Sequence, residues 1–231
     1  IVLAQDQLLL PANRTEASEE ELQAVSDTLA HSLAHQWMGN LVSFRNWPQS
    51  WLFEALASFM EKEALDSLFP HWRTWQRFTS TQFRRGLHSD SSRFARPLSK
   101  LITHPNDVAL VYPNVNGYHK AVALLRMLRS SIGEDTFIKG IRVFVKGFAN
   151  QTATSNELWR SFEKAVGKPS TTNKKNDDNE LRQFQLEAIR AIAKWTTMAG
   201  YPIVHVEERQ EGDARIIKLR QERFIESLSS V

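Results

Sequence analysis

The sequence contains no cysteine, and this absence excludes two kinds of site at once. A disulfide framework cannot hold the fold together, and no thiolate is available as a metal ligand. A chain of 231 residues, 42% of them hydrophobic, is therefore expected to be stabilised by a buried apolar core, which its length allows. Any metal site has to be built from histidine and carboxylate side chains.

Long apolar runs and blocks of like charge are also missing. No segment approaches the ~18 consecutive apolar residues of a membrane-spanning helix, so none is expected here. The formal net charge is only +3, and the Lys and Arg residues are interspersed with Asp and Glu. This distribution argues against nucleic acid as a partner. The sequence also has no internal repeat, which argues against a solenoid.

Two histidines four residues apart are the clearest sign of a site. His31 and His35 lie in a segment that otherwise has a helical pattern of apolar residues. At this spacing both imidazoles project from one face, one turn apart, where they can share a metal ion. Glu54 lies in a second predicted helix, after eighteen intervening residues, and can point towards the pair.

Helical patterns account for most of the chain. The first helix is predicted to begin at a capping box of Ser18 and Glu21 and to bury an apolar stripe made of Leu22, Val25, Leu29, Leu33 and Trp37. Gly39-Asn40 is its expected end. Further helices are predicted over 48–69, 71–85, 117–131, 137–148, 158–166 and 180–198. Segments 87–116 and 168–179 are predicted to be loops.

Strand patterns occur near the two ends of the chain. The apolar run Ile1–Pro11 indicates a strand or a buried extended segment. Near the other end, two short β-type runs flank a turn at Gly212-Asp213 and predict a β-hairpin of Ile203–Val206 with Ile216–Leu219. The change from helical to strand periodicity predicts a domain boundary near Tyr201.

The histidine pair is embedded in a longer pattern. From His31 the sequence is His-x-x-x-His-Gln-Trp-x-Gly-Asn-Leu-Val, followed by Trp47, Trp51-Leu52 and Glu54. This pattern resembles the zinc-site core of the aminopeptidase N (membrane alanyl aminopeptidase) family of gluzincin zinc metallopeptidases. In that family the motif is His-Glu-x-x-His, and a Glu after eighteen residues is the third ligand. The resemblance implies that Zn²⁺ is the cofactor and that its ligands are His31, His35 and Glu54.

One position of the motif differs in a way that affects the chemistry. Ser32 occupies the place of the family's glutamate, which takes a proton from water and returns it to the leaving amine. A second match begins at Tyr118, where Tyr-His-Lys-Ala-Val is similar to the family's Tyr-x-Lys-Gly-Ala segment. The resemblance implies that Tyr118 donates a hydrogen bond to the oxyanion of the tetrahedral intermediate.

The resemblance also implies a fold and a domain organisation. The expected class is mostly α (α+β), with the C-terminal part of a thermolysin-like zinc metallopeptidase catalytic domain over residues 1–200 and the start of a small β-sandwich over residues 201–231. Gly200-Tyr201-Pro202 corresponds to the Gly-Phe-Pro-like entry of that sandwich. The family's Gly-x-Met-Glu-Asn signature, which holds the amino group of the substrate, is expected just upstream of Ile1.

Three functions fit these residues. The first is a protein that binds zinc and peptide N-termini but hydrolyses poorly, since a serine hydroxyl is not a base near neutral pH; Phe53, Ala55 and Ala121 also depart from the family's Asn, Gly and Gly. The second is an active zinc aminopeptidase that releases N-terminal residues from peptides, with zinc-bound hydroxide or another carboxylate such as Glu61 replacing the base. The third is a non-catalytic structural module of a larger assembly.

Two N-glycosylation patterns bear on the location of the protein. Asn13-Arg14-Thr15 and Asn150-Gln151-Thr152 both match Asn-x-Ser/Thr. Together with the resemblance they favour a glycoprotein ectodomain at the cell surface or in the secretory pathway, with membrane contact only through parts outside these residues. A cytoplasmic location is the alternative.

Overall fold

The computed structural model describes residues 17–99, 106, 115–167 and 175–226, with only the backbone at 115–117 and 175–177. In chain order the helices are α1 (Glu19–Ala34), α2 (Ser50–Leu68), α3 (Thr74–Phe78), α4 (Arg84–Asp90), α5 (Val115–Ile132), α6 (Glu134–Phe148), α7 (Ser155–Val166) and α8 (Lys175–Trp195). Short 3₁₀ turns, Trp47–Gln49 and Pro70–Trp72, precede α2 and α3, and a π-helical turn, Thr79–Phe83, joins α3 to α4. The strands are β1 (Val42–Phe44), β2 (Gln151–Ala153), β3 (Pro202–Glu211) and β4 (Ala214–Arg223).

The predicted fold class is confirmed: the protein is mostly helical with two small two-stranded sheets. No described helix is both long enough and apolar enough to cross a membrane. The strand predicted at Ile1–Pro11 and the pattern at Asn13 lie outside the described residues, as do residues 100–105 and 107–114 of the loop predicted over 87–116.

The centre of the core is α2, which packs against α1, α3 and α5. Its buried side includes Leu52 and Leu56, both within 1% of full burial, and it meets Leu125 and Leu128 of α5 in one continuous cluster. Beyond α5, the core extends to α8, and α7 bridges α6 and α8. Because so much of α2 is fixed by this packing, the polar side chains on its remaining face have well-defined positions.

A short parallel pair, β1 with β2, connects the region after α1 to the region after α6. Val42 pairs with Gln151 and Phe44 pairs with Ala153. Ahead of the pair, the Asn150 N–H donates to the Leu41 carbonyl at 2.7 Å. Three residues per strand are too few to show period-two alternation, so the sequence did not predict this sheet.

The third helix was predicted to end at Gly86, and this was wrong. Helical backbone continues through α4 to Asp90, and Gly86 is buried inside it. A Cβ atom at Gly86 would lie 3.1 Å from the His119 Cβ atom and 3.3 Å from the Lys120 nitrogen. The glycine therefore allows α4 to approach α5 closely, and it is not a stop signal here.

The burial predicted for the α1 stripe was also wrong in part. Leu29, Leu33 and Trp37 are 44%, 47% and 48% exposed. Of the residues in α1 only Ala34 is buried, although α1 packs against α2. The helix itself ends at Ala34, one turn before the predicted Gly39-Asn40 stop. Amphipathic spacing predicted the helix correctly, but it does not show which neighbour covers the apolar side.

Two boundaries near the end of the chain differ from the prediction. The polar segment 168–179 was predicted to be a loop, yet α8 begins at Lys175; residues 168–174 lie outside the described part. Acidic residues at 177 and 178 favour a helix start through the helix dipole. The hairpin is confirmed but is longer than predicted, with ten residues in each of β3 and β4 and Gly212 in its turn at φ 60°. Whether a separate domain starts near Tyr201 stays a prediction.

Candidate metal centre

The helix α1 begins at a capping box and carries two imidazoles side by side at its C-terminal end. The capping box forms as predicted, because Ser18 Oγ accepts from the Glu21 N–H at 3.2 Å and the Glu21 carboxylate accepts from the Ser18 N–H at 2.8 Å. At the other end His35 is the C-cap and keeps helical geometry, with φ −64° and ψ −14°. His31 and His35 therefore stay on one face, and their Nε2 atoms are 3.0 Å apart.

The third side chain comes from α2. Phe53 and Ala55, on either side of Glu54, are buried in the core, so the carboxylate is held on the side that faces α1. Its Oε2 atom lies 3.5 Å from Nε2 of His31 and 3.5 Å from Nε2 of His35. The structure thus brings together the three residues that the sequence predicted as ligands.

The three ligand atoms form a triangle of the size that a zinc ion requires. Zinc bonds of about 2.0–2.1 Å in tetrahedral geometry separate two ligand atoms by about 3.3 Å. The observed sides of 3.0, 3.5 and 3.5 Å bracket this value. Within the described part of the chain, His31, His35 and Glu54 are the one set of histidine and carboxylate groups close enough to hold a metal ion. Their side chains are 27%, 31% and 23% exposed, so a fourth ligand can approach from solvent.

Both imidazoles are oriented by contacts on the ring nitrogen that points away from the triangle. Nδ1 of His35 donates to the Met38 carbonyl, 2.8 Å away. Nδ1 of His31 lies 3.2 Å from a carboxylate oxygen of Glu61 and 3.3 Å from the Ser58 hydroxyl. An acceptor at Nδ1 fixes the proton there and leaves the Nε2 lone pair for a metal, which is the usual outer-shell arrangement of histidine ligands.

Glu61 has a different position from the one that a replacement base would need. The sequence placed it on the same helix face as Glu54 and suggested that it could take over the lost proton transfer. Its Oε2 atom instead contacts Nδ1 of His31, the nitrogen on the far side of the ring from the ligand triangle. Its Oε1 atom accepts from the Lys62 ammonium at 2.8 Å. Glu61 is therefore a positioning residue for His31.

Neighbouring charges and hydrogen bonds change the pKa values of two side chains of the triangle, His31 and Glu54. Burial alone would lower the pKa of His31, but hydrogen bonds and charge attraction from Glu54 and Glu61 outweigh it and raise that pKa to about 9. Burial would raise the pKa of Glu54, but its hydrogen bonds to the two histidines outweigh burial and lower it to about 2. In the metal-free protein at neutral pH, His31 is thus a cation beside an ionised Glu54.

Tyr118 and Ser32 lie on the two helices that flank α2. Tyr118 is in the first part of α5, half-buried against the core. Two residues further on, the Lys120 ammonium pairs with Asp90 at 2.8 Å and donates to the carbonyls of Met198 and Gly200. Lys120 therefore ties α5 to α4 and to the segment before β3. Ser32 is half-buried on α1, about 100° around the helix from His31.

Two contacts that orient the histidines were not predicted from the sequence. The Met38 carbonyl that orients His35 depends on how the chain turns after α1, which side-chain spacing does not reveal. Glu61 could have been found as an orienting residue, since it lies seven positions after Glu54 on the same face of α2. Periodicity alone does not show which nitrogen of His31 it contacts.

Comparison with known proteins identifies the family. The sequence profile of the peptidase family M1 domain matches residues 1–184. The chain belongs to peptidase family M1. It is 32% identical over 200 residues to leucyl aminopeptidase of Saccharolobus solfataricus, covering 87% of this chain and 22% of that protein. It is also 32% identical over 208 residues to puromycin-sensitive aminopeptidase of Caenorhabditis elegans, covering 90% of this chain and 20% of that protein.

A plant relative gives the same result. Aminopeptidase M1 of Arabidopsis thaliana is 31% identical over 205 residues, which is 89% of this chain and 21% of that protein. This M1 chain therefore spans about a fifth of the length of the curated relatives that it matches. All three relatives are named aminopeptidases, which supports a metallopeptidase-type domain for this M1 chain.

Proposed function

We propose that this M1 domain binds Zn²⁺ through His31, His35 and Glu54 and binds peptides through their free N-termini, with hydrolysis impaired at Ser32. The observation that carries the proposal is the triangle of Nε2, Nε2 and Oε2 atoms with sides of 3.0, 3.5 and 3.5 Å. Support for the peptide ligand comes from the relatives, which are named aminopeptidases.

The donor set fits zinc and leaves a position for chemistry. Two neutral imidazoles and one carboxylate are the ligands of many catalytic zinc sites, where the metal polarises a carbonyl and lowers the pKa of water to roughly 7. The chain's own residues would orient this set: Glu61 and the Met38 carbonyl hold the two rings, and the packing of α2 holds Glu54. Tyr118 is the proposed hydrogen-bond donor to an oxyanion.

Impaired hydrolysis is expected because peptide hydrolysis needs a side chain that accepts a proton from water. Ser32 stands where the family has a glutamate, and a serine hydroxyl cannot accept a proton near neutral pH. General base assistance contributes about 10²–10⁴-fold to such reactions, so the domain would bind far better than it turns over. Glu61 does not fill the gap, because its carboxylate is engaged with His31 Nδ1 and Lys62.

An active zinc aminopeptidase is the second candidate. One observation favours it: the outer contacts of both histidines, through Glu61 and the Met38 carbonyl, are in place. Turnover of aminoacyl-chromophore substrates by the intact protein, with and without a chelator, separates the two candidates. Chelator-sensitive turnover that does not rise when Ser32 is changed to Glu would favour the active enzyme.

Zinc affinity should depend on Glu61. In Glu61→Gln the carboxylate that faces His31 Nδ1 is lost, and we expect zinc to bind about 10–100-fold more weakly, the usual cost of removing an outer-shell partner. Competition with a fluorescent zinc chelator measures the change. The control is Asp66→Asn, which removes one charge from the same helix at a half-buried residue with no ion pair among those the structure describes. An unchanged affinity in Glu61→Gln would contradict the positioning role.

Zinc binding should weaken as the pH falls. His31 has a pKa of about 9 in the metal-free protein, so at pH 7 it carries a proton that zinc must displace. We expect the affinity to rise about tenfold per pH unit between roughly 7 and 9 and to level off above that for this group. Calorimetry at pH 7 in buffers of different ionisation enthalpy should show release of about one proton per zinc. Release of none would mean that His31 is already neutral.

The proposed location is the cell surface or the secretory pathway. Asn150, of the second glycosylation pattern, is exposed at a tight turn with φ 59°, where a glycan can be accommodated. Treatment of the protein from its natural source with an endoglycosidase should increase its gel mobility. Persistence of an unglycosylated Asn150 in peptide mass spectra would favour the cytoplasmic alternative.

A further inference from the structure

A polar cavity lies between α1, α2 and the segment from α3 to α4. Its volume is about 240 Å³, and its polar lining includes Asp27, Lys62, Thr74, Arg77, Gln82 and Arg85. None of the three proposed zinc ligands lines it. The cavity is therefore separate from the metal centre, although both are built on α1 and α2.

The cavity has an excess of positive charge. Arg77 is neutralised by Asp27, with Nη2 and Oδ1 2.6 Å apart. The charge of Lys62 is neutralised by Glu61, whose Oε1 atom is 2.8 Å from the Lys62 Nζ atom. Glu61 does not itself line the cavity. Arg85 has no carboxylate partner among the residues that the structure describes. One net positive charge thus remains on the cavity wall, and it attracts an anion.

Unused hydrogen-bond donors line the same space. The Lys62 side chain is only 4% exposed, and its ammonium has three donors but a single recorded acceptor, Glu61. The ring of Phe78 lies 5.8 Å from its nitrogen and adds a cation–π contact. Thr74 is 1% exposed, and its hydroxyl has no hydrogen-bond partner in the described structure. Buried polar groups are rarely left without a partner, so this hydroxyl is available for a hydrogen bond to a ligand in the cavity.

We propose that this cavity binds a small oxyanion, a phosphate or carboxylate group, between Arg85, Lys62 and Thr74. Arginine offers parallel N–H donors that match the oxygens of such a group, and lysine offers a compact charge. The threonine hydroxyl can donate to a third oxygen. A water molecule would satisfy donors but would leave the positive charge uncompensated, and a cation would be repelled.

The experiment uses the metal-free intact protein, so its outcome does not depend on whether the centre at His31 binds zinc. Inorganic phosphate and acetate are titrated separately, at constant ionic strength, by calorimetry and by thermal unfolding. We expect saturable 1:1 binding of one of them, with a rise in Tm that follows its concentration. The anion that binds shows which of the two groups the cavity is built for.

Variants test the location of the bound anion. Arg85→Gln should weaken binding roughly tenfold or more, through loss of a charge-assisted hydrogen bond. Arg84→Gln is the matched control, because Arg84 and Arg85 are both exposed residues of the same helix but only Arg85 lines the cavity. Thr74→Val should weaken binding without destabilising the unliganded protein, since the hydroxyl has no partner to lose. Lys62 is left intact because its partner Glu61 also contacts His31, so its removal would disturb the metal centre as well.

Three results would overturn the proposal. One is the absence of saturable binding by either anion. Another is equal weakening by Arg84→Gln and Arg85→Gln, which would indicate diffuse surface attraction. The last is unchanged affinity in Thr74→Val, which would place the anion elsewhere.

Discussion

Restoring a carboxylate at position 32 should increase peptide hydrolysis by about 10²–10⁴-fold, which is the usual contribution of a general base. The variant is Ser32→Glu, and the measurement is kcat/KM on aminoacyl-chromophore substrates with zinc present. The triangle of His31, His35 and Glu54 and the outer contacts of both histidines already exist, so on the proposed function the added carboxylate would supply the proton acceptor that Ser32 lacks. A chelator should abolish the gain.

The matched control for this experiment is Ser32→Gln. Glutamine has nearly the size of glutamate but cannot accept the proton, so its activity should stay at the level of the unmodified protein. A similar increase in both variants would attribute the effect to packing around α1. No increase in Ser32→Glu, in a protein that still binds zinc, would contradict the proposal that Ser32 limits hydrolysis, and Phe53 and Ala55, which also depart from the family pattern, would then be the next residues to change.

The second large effect concerns the third ligand. In Glu54→Gln the charged oxygen at 3.5 Å from both Nε2 atoms becomes part of a neutral amide. We expect zinc affinity to fall by more than the roughly 10–100-fold that loss of an outer-shell partner costs. The loss of zinc affinity in Glu54→Gln should therefore be larger than the loss in Glu61→Gln measured in the same competition assay.

The order of these effects is as informative as their size. Glu54 and Glu61 lie on the same face of α2, and each contacts His31, but on opposite ring nitrogens. If the metal sits in the triangle, Glu54→Gln must be the more damaging change. A larger loss in Glu61→Gln would place the metal on the Nδ1 side of His31. Asp66→Asn again serves as the control for loss of one charge from α2.

The proximity of His31 and His35 could be predicted from the sequence because it is local. Four-residue spacing on a helix fixes the relation of His31 to His35, and the capping box at Ser18 fixes where that helix begins. Glu54 was harder to place from periodicity alone, since a second helix can approach the first from any side. There the family pattern supplied the information, and the core packing of α2 explains why the carboxylate points inward.

The errors have a common physical cause, which is that the identity of a residue does not reveal its neighbour. Glycine is a common helix stop, but Gly86 instead lets α4 pack closely against α5. Leu29 and Leu33 have the spacing of a buried face, yet both are exposed, although α1 packs against α2. Glu61 could be placed on a face, but its partner nitrogen on His31 could not be predicted. All three depend on contacts between elements distant in sequence.

Crystallography of the zinc-soaked intact protein, with anomalous data at the zinc absorption edge, tests the central claim most directly. We expect one strong peak at about 2.0–2.2 Å from Nε2 of His31, Nε2 of His35 and a carboxylate oxygen of Glu54. A protein that binds no zinc under these conditions, or a peak on other side chains with the triangle empty, would contradict it.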